Sequence, residues 1–154
     1  MKNMIITFLS IMCFGSLLGQ DTMTKSPSES PTEAIAQTCS LTIELTDLKS
    51  DEGLLMVGLY NTADTWLAKN YKGEITEIKD GKATVVFDNL PYGIYAVSSI
   101  HDEDSNHELN TGLFGIPSEP YASSRGAKGR FGPPKWEDAK FELSSATAIE
   151  IIKF

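Results

Sequence analysis

Apolar side chains recur at every second position in this chain, in short runs broken by turns. Leu41, Ile43 and Leu45 alternate with Thr42, Glu44 and Thr46. Successive residues of a β-strand point to opposite faces, so this pattern predicts a strand with one face buried and one in water. Residues 54–60 (Leu-Leu-Met-Val-Gly-Leu-Tyr) form a nearly continuous apolar run, which suits a central strand. Residues 73–78 and 83–87 read as hairpin partners around Asp80-Gly81, a dipeptide that tolerates the positive φ angles of a tight hairpin turn. The turn Asn89-Leu90-Pro91-Tyr92-Gly93 launches a strand over 94–100, and two final strands are expected over 139–143 and 148–152. No stretch shows a convincing amphipathic-helix period; residues 61–70, with Trp66 and Leu67, read as a short helix or an irregular crossover. About seven short strands joined by turns predict an all-β chain folded as a single antiparallel β-sandwich.

The amino terminus bounds where such a domain works. Met1-Lys2-Asn3-Met4 precedes an apolar run over 5–18 and then Gly19-Gln20, the layout of a secretory signal. The run is shorter than the ~20 apolar residues a membrane-spanning helix needs. A cleaved leader over 1–20 is therefore expected, leaving a secreted or periplasmic chain with no transmembrane segment. Met12 stands before Cys13, where a lipobox has a small residue, which argues against a lipoprotein. Residues 21–38, rich in Ser, Thr and Pro, cannot bury enough surface to offset the entropy of ordering and read as a disordered tether. Residues 39–154 are the expected domain. Cys39 is then its only cysteine, so no internal disulfide staples it and its core must hold it together. The net charge of −8 argues against a nucleic-acid partner, which calls for a basic face.

The strand over 94–100 ends in His101-Asp102-Glu103-Asp104-Ser105-Asn106-His107-Glu108-Leu109-Asn110. Asp102, Asp104, Asn106 and Glu108 place side-chain oxygens at every second position, a spacing used by loops that wrap a hard cation. Calcium is the cofactor this composition suggests, with those four residues as ligands and Glu119 or backbone carbonyls completing the shell. The EF-hand template itself fails, because His107 stands where its glycine belongs and Leu113 where its bidentate Glu belongs. The ordinary alternative is a polar loop closed by side-chain to backbone hydrogen bonds.

His101 has two readings. It caps the loop by hydrogen bonds, or it serves as a general base or transition-metal ligand beside Asp102 and His107. Neighbouring strand residues diverge, which works against convergence of His101 and Asp102. A metal-assisted hydrolase would use His101 and Asp102 as catalytic groups with Asp104. Ser123 and Ser124 are nucleophile candidates without a Gly-x-Ser-x-Gly elbow. The segment over 123–130 (Ser-Ser-Arg-Gly-Ala-Lys-Gly-Arg) concentrates cations. Arg130 could pair with a bound anion, or these cations answer the acidic loop internally. His101, Glu119, Ser123 and Arg130 are thus the ligand-binding candidates. Trp66, Tyr121, Phe131 and Trp136 form either an aromatic platform for a glycan or the cover of a core edge. The long Gly/Pro-punctuated stretch over 111–134 is itself a functional signal, since compact domains rarely carry such loops without a use.

Taken in order, several motifs resemble a family of small secreted bacterial proteins known as domain of unknown function 2141, over about residues 41–154. They are Gly53-Leu54-Leu55-Met56-Val57-Gly58-Leu59-Tyr60-Asn61 with Trp66 beyond, and Phe87-Asp88-Asn89-Leu90-Pro91-Tyr92-Gly93-Ile94-Tyr95-Ala96-Val97. His101-Asp102-Glu103-Asp104-Ser105-Asn106, Gly115-Ile116-Pro117-Ser118-Glu119, Ser123-Ser124, Phe131-Gly132-Pro133-Pro134 and Asp138-Ala139 follow. The family pattern has glycine where this chain has His107, and again where it has Ala122. The resemblance implies a secreted β-sandwich with no established activity. Asn89-Leu90-Pro91-Tyr92-Gly93-Ile94-Tyr95 also resembles the turn before a core strand in transthyretin-like and collagen-adhesin repeat domains, an architectural likeness that implies an immunoglobulin-like or transthyretin-like sandwich. The leading functional expectation is a non-catalytic exported binding module, its partner an envelope protein or glycan, with calcium ordering the acidic loop. The hydrolase is one alternative; a structural envelope protein acting through protein contacts is another.

Overall fold

Eight strands organise residues 37–154, the part of the chain that the computed structural model describes. The expected leader, and the tether up to residue 36, lie outside the described residues. The strands are β1 (Thr38–Thr46), β2 (Leu54–Tyr60), β3 (Lys72–Thr76), β4 (Ala83–Pro91), β5 (Gly93–Asp102), β6 (Tyr121–Ser123), β7 (Phe141–Leu143) and β8 (Thr147–Lys153). One sheet has the order β4-β1-β8; the other has β3-β2-β5-β6, with β7 also paired to β5. The expected sandwich is present, with one strand more than the seven read from sequence. The additional strand, β6, is only three residues long, too short for an alternation of apolar and polar residues to announce it.

The core lies between the sheets and is built from alternate residues. Leu41, Ile43 and Leu45 of β1 meet Leu55, Val57 and Leu59 of β2, Val85 and Phe87 of β4, and Val97 of β5. Each such side chain contributes about 1.5–3 kcal/mol when fully buried. Cys39 joins this core as a free, buried thiol, and burial pushes its pKa up.

Pairing is antiparallel except between β1 and β8, which run parallel from Ser40↔Thr147 to Thr46↔Lys153. A tight turn forms at Asp80-Gly81, with φ of 54° and 69° and Lys79 bridged to Lys82. The hairpin expected around it does not form: β3 pairs with β2 and β4 with β1, so the turn carries the chain from one sheet to the other. A partner distant in sequence reinforces it: the Asp51 carboxylate accepts the N–H groups of Asp80 and Gly81, both at 2.8 Å.

A second, smaller cluster of Ala96, Ala127 and Ala139 covers the outer face of β5, with Trp66 and Trp136 packed against it. The two indoles meet edge-on at 5.9 Å, and Trp66 Nε1 donates to the Pro134 carbonyl at 2.8 Å. These two tryptophans therefore cover a core edge. Tyr121 and Phe131 belong to neither cluster. The only α-helix among the described residues is the four-residue α1 (Trp136–Ala139), consistent with the lack of a helical period.

Candidate functional site

Strand alternation divides the end of β5 between two environments. Tyr95, Val97, Ser99 and His101 share the face toward the other sheet; Ala96, Ser98, Ile100 and Asp102 share the opposite one. His101 and Asp102 are both buried, each on its own side, so the two diverge. The His101 ring closes one end of the sandwich. Its Nε2–H donates to the Glu52 carbonyl at 2.7 Å, because a carbonyl can only accept. Its backbone N–H donates to the Pro120 carbonyl at 2.9 Å. The ring also lines a cleft of about 260 Å³ with Leu48, Glu119, Tyr121 and Phe154.

Asp102 is the hub of the acidic loop. Its carboxylate accepts the N–H of His107 at 2.8 Å and that of Asn106 at 3.1 Å. Ser105 and His107 take left-handed backbone conformations, with φ of 58° and 64°, and the turn so made directs successive N–H groups at one carboxylate. Burial alone would raise the Asp102 pKa; the N–H donors of His107 and Asn106 outweigh it and hold the carboxyl below the ordinary aspartate value. Gly53 presses on the same point. A Cβ there would lie 2.1 Å from the Asp102 carbonyl oxygen, and its φ is +77°, so this start of β2 requires glycine.

Asp104 is bound by amides. It accepts from the backbone and side chain of Asn106 at 3.2 and 3.1 Å, and from Asn110 Nδ2 at 2.8 Å. Glu119 enters from the segment leading into β6. Its two oxygens accept the N–H groups of Glu103 at 3.1 Å and Asn110 at 2.9 Å. One carboxylate oxygen from each of Asp102, Asp104 and Glu119 lies within 4.8 Å of the others. No lysine or arginine neutralises them: the only ion pair among the described residues joins Lys140 to Glu137.

The other residues singled out from sequence lie elsewhere. Asn106 braces the loop with its amide, accepting from the Glu108 N–H at 2.8 Å and donating to Asn110 Oδ1 at 3.0 Å. The Glu108 carboxylate is not in the converging group. His107 is exposed and contributes its backbone rather than its ring. Ser123 is buried on β6, across from Ser98, and its Oγ has no hydrogen-bond partner among the described residues. Ser124 Oγ accepts the Val97 N–H at 2.9 Å and donates to the Ala139 carbonyl at 2.7 Å, a brace between β5 and α1. Arg130 is exposed and makes no ion pair. The cationic segment instead meets β8, where the Arg125 N–H donates to Glu150 at 2.9 Å. Sequence reasoning misses two groups: the Glu52 carbonyl that holds His101, and Gly53 as the close neighbour of Asp102. The positive φ of Gly53 has no local pattern to reveal it.

Residues 43–150 match the model of a family described as "Uncharacterized protein conserved in bacteria (DUF2141)". The matched span runs from within β1 to within β8 and includes the whole acidic loop. No curated protein and no solved structure matches the chain.

Proposed function

We propose, for a chain that belongs to this DUF2141 family of bacterial proteins, a non-catalytic binding role outside the cytoplasm, with a calcium ion ordering the acidic loop. The observation that carries the proposal is the convergence of Asp102, Asp104 and Glu119 within 4.8 Å. Like charges so close repel, and a divalent cation between them relieves that cost. All three offer hard oxygen ligands, which suit calcium better than a softer transition metal. Backbone carbonyls and water supply further oxygens for a shell of about six to eight. A cation here would also join two separate segments, residues 102–104 and Glu119, and so set the base of the long loop. The leader-like residues 1–20 support an exported location. An envelope protein or a glycan is the partner in this reading.

Binding is favoured over hydrolysis by the state of His101. Its Nε2–H is committed to the Glu52 carbonyl, and the ring lies on the opposite face of β5 from Asp102. That bond leaves Nδ1 as the basic nitrogen, but a general base must reach its substrate's proton, and His101 is only 1% exposed.

The test is thermal melting of chelated protein with and without calcium. At a free calcium concentration about a hundred times Kd, the folded state gains about 2.7 kcal/mol. The double substitution Asp104→Asn with Glu119→Gln should abolish the rise in Tm. A Tm unchanged up to millimolar calcium removes calcium from this proposal.

A further inference from the structure

Residues 109–118 (Leu-Asn-Thr-Gly-Leu-Phe-Gly-Ile-Pro-Ser) carry no charge in a chain whose net charge is −8. They form a projecting loop that closes on itself. The Gly112 N–H donates to the Ile116 carbonyl at 2.7 Å, that of Gly115 to Gly112 at 3.2 Å, and that of Ser118 to Asn110 at 2.8 Å. Thr111 and Pro117 pair as an isolated bridge at the neck. At the tip Leu113 is 83% exposed, Phe114 98% and Ile116 64%. Phe114 holds a φ of 66°, a left-handed backbone unfavourable for an L-residue. Three large apolar side chains held out in water contribute nothing to the packing of the domain itself, and clustered exposed apolar groups mark interaction sites.

We infer that this tip is a membrane contact, with Leu113, Phe114 and Ile116 entering the interfacial region of a lipid bilayer. The N–H groups of Gly112, Gly115 and Ser118 are bonded within the loop. Those of Leu113, Phe114 and Ile116 are left to the hydrated interfacial region, since backbone in the hydrocarbon itself would have to be fully paired. A convex knob needs no matching pocket in a bilayer. A second copy of the chain fits less well, because three side chains fall far short of the ~800 Å² per partner that a standard protein interface buries. Charge selects the kind of bilayer. The neck is bonded through Asn110 to Asp104 and Glu119, and in the cation-free protein these carboxylates repel anionic headgroups. A zwitterionic surface such as phosphatidylcholine is the fitting one.

The experiment places a reporter at the tip of the full chain. Phe114→Trp is compared with the unsubstituted protein, whose Trp66 and Trp136 supply the background, in EDTA so that the result is independent of the cation proposed above. Phosphatidylcholine vesicles should shift the new indole's emission to the blue, and lipids brominated along the acyl chain should quench it. Adding Leu113→Asp should reduce both responses at least fivefold. The signal is local, so attachment through the apolar residues 5–18 cannot imitate it. Absence of the blue shift and of quenching would overturn the inference. A blue shift that grows with protein concentration without lipid would overturn it too, because it would place the tip in a protein contact.

Discussion

The backbone N–H of His107 donates to the Asp102 carboxylate at 2.8 Å, and His107 reaches that position only through a left-handed backbone with φ 64°. The loop's hub is thus held by a residue in a conformation that suits glycine better than histidine.

His107→Gly should therefore stabilise the protein. A left-handed non-glycine residue costs about 1–2 kcal/mol, partly offset by the extra freedom glycine has in the unfolded chain. A net gain of about 0.5–1 kcal/mol is expected from these two opposing effects, read as a higher midpoint in urea. A loss of stability would mean that the imidazole, exposed as it is, contributes a contact of its own.

Asp102 should make the domain acid-sensitive in a defined window. Its folded pKa lies below the unfolded one, so folding favours the ionised form. That contribution is complete above the ordinary aspartate pKa of about 3.9 and is lost as pH falls below it toward the folded value. Asp102→Asn should flatten this part of the acid limb. It should also cost about 1–3 kcal/mol at neutral pH, because the two N–H groups bond to different carboxylate oxygens and in an amide one of those positions becomes an NH2 donor. Melting temperatures from about pH 7 to about pH 3 for both proteins give the comparison; identical acid limbs would remove Asp102 as the cause.

Ser124→Ala should behave as a structural lesion and not as the loss of a nucleophile. The Ser124 hydroxyl accepts the buried Val97 N–H and donates to the Ala139 carbonyl. Its removal leaves those groups unpaired, at a cost of about 1–3 kcal/mol. Ser124→Cys, a near-isostere with a weaker donor, should fall between alanine and the native residue in denaturant midpoint. A fully stable alanine variant would show that the brace carries no weight.

Strands with a strict alternation are legible in the order of residues alone. Leu41, Ile43 and Leu45 declare the buried face of β1 by their spacing, and Asp80-Gly81 declares its turn by the φ angles those residues accept. The root of the acidic loop is legible too, because Asp102 follows directly on an apolar strand. The sequence points to Glu119 as a companion of the loop, but it gives Asn106 and Glu108 equal weight as ligands. Spacing along a chain cannot tell an oxygen that converges from one that braces its neighbour.

What the linear pattern determined by itself is everything that depends on one strand's two faces: the all-β class, most of the core and the place where acidic residues gather. Tertiary structure alone decided the parallel union of β1 with β8, the arrival of Glu119 beside Asp102, and the capture of His101 by the Glu52 carbonyl. Each of those contacts joins segments distant in sequence through sheet register. The alternation within a strand fixes which face is buried and constrains register, but it does not say which distant strand will be the partner.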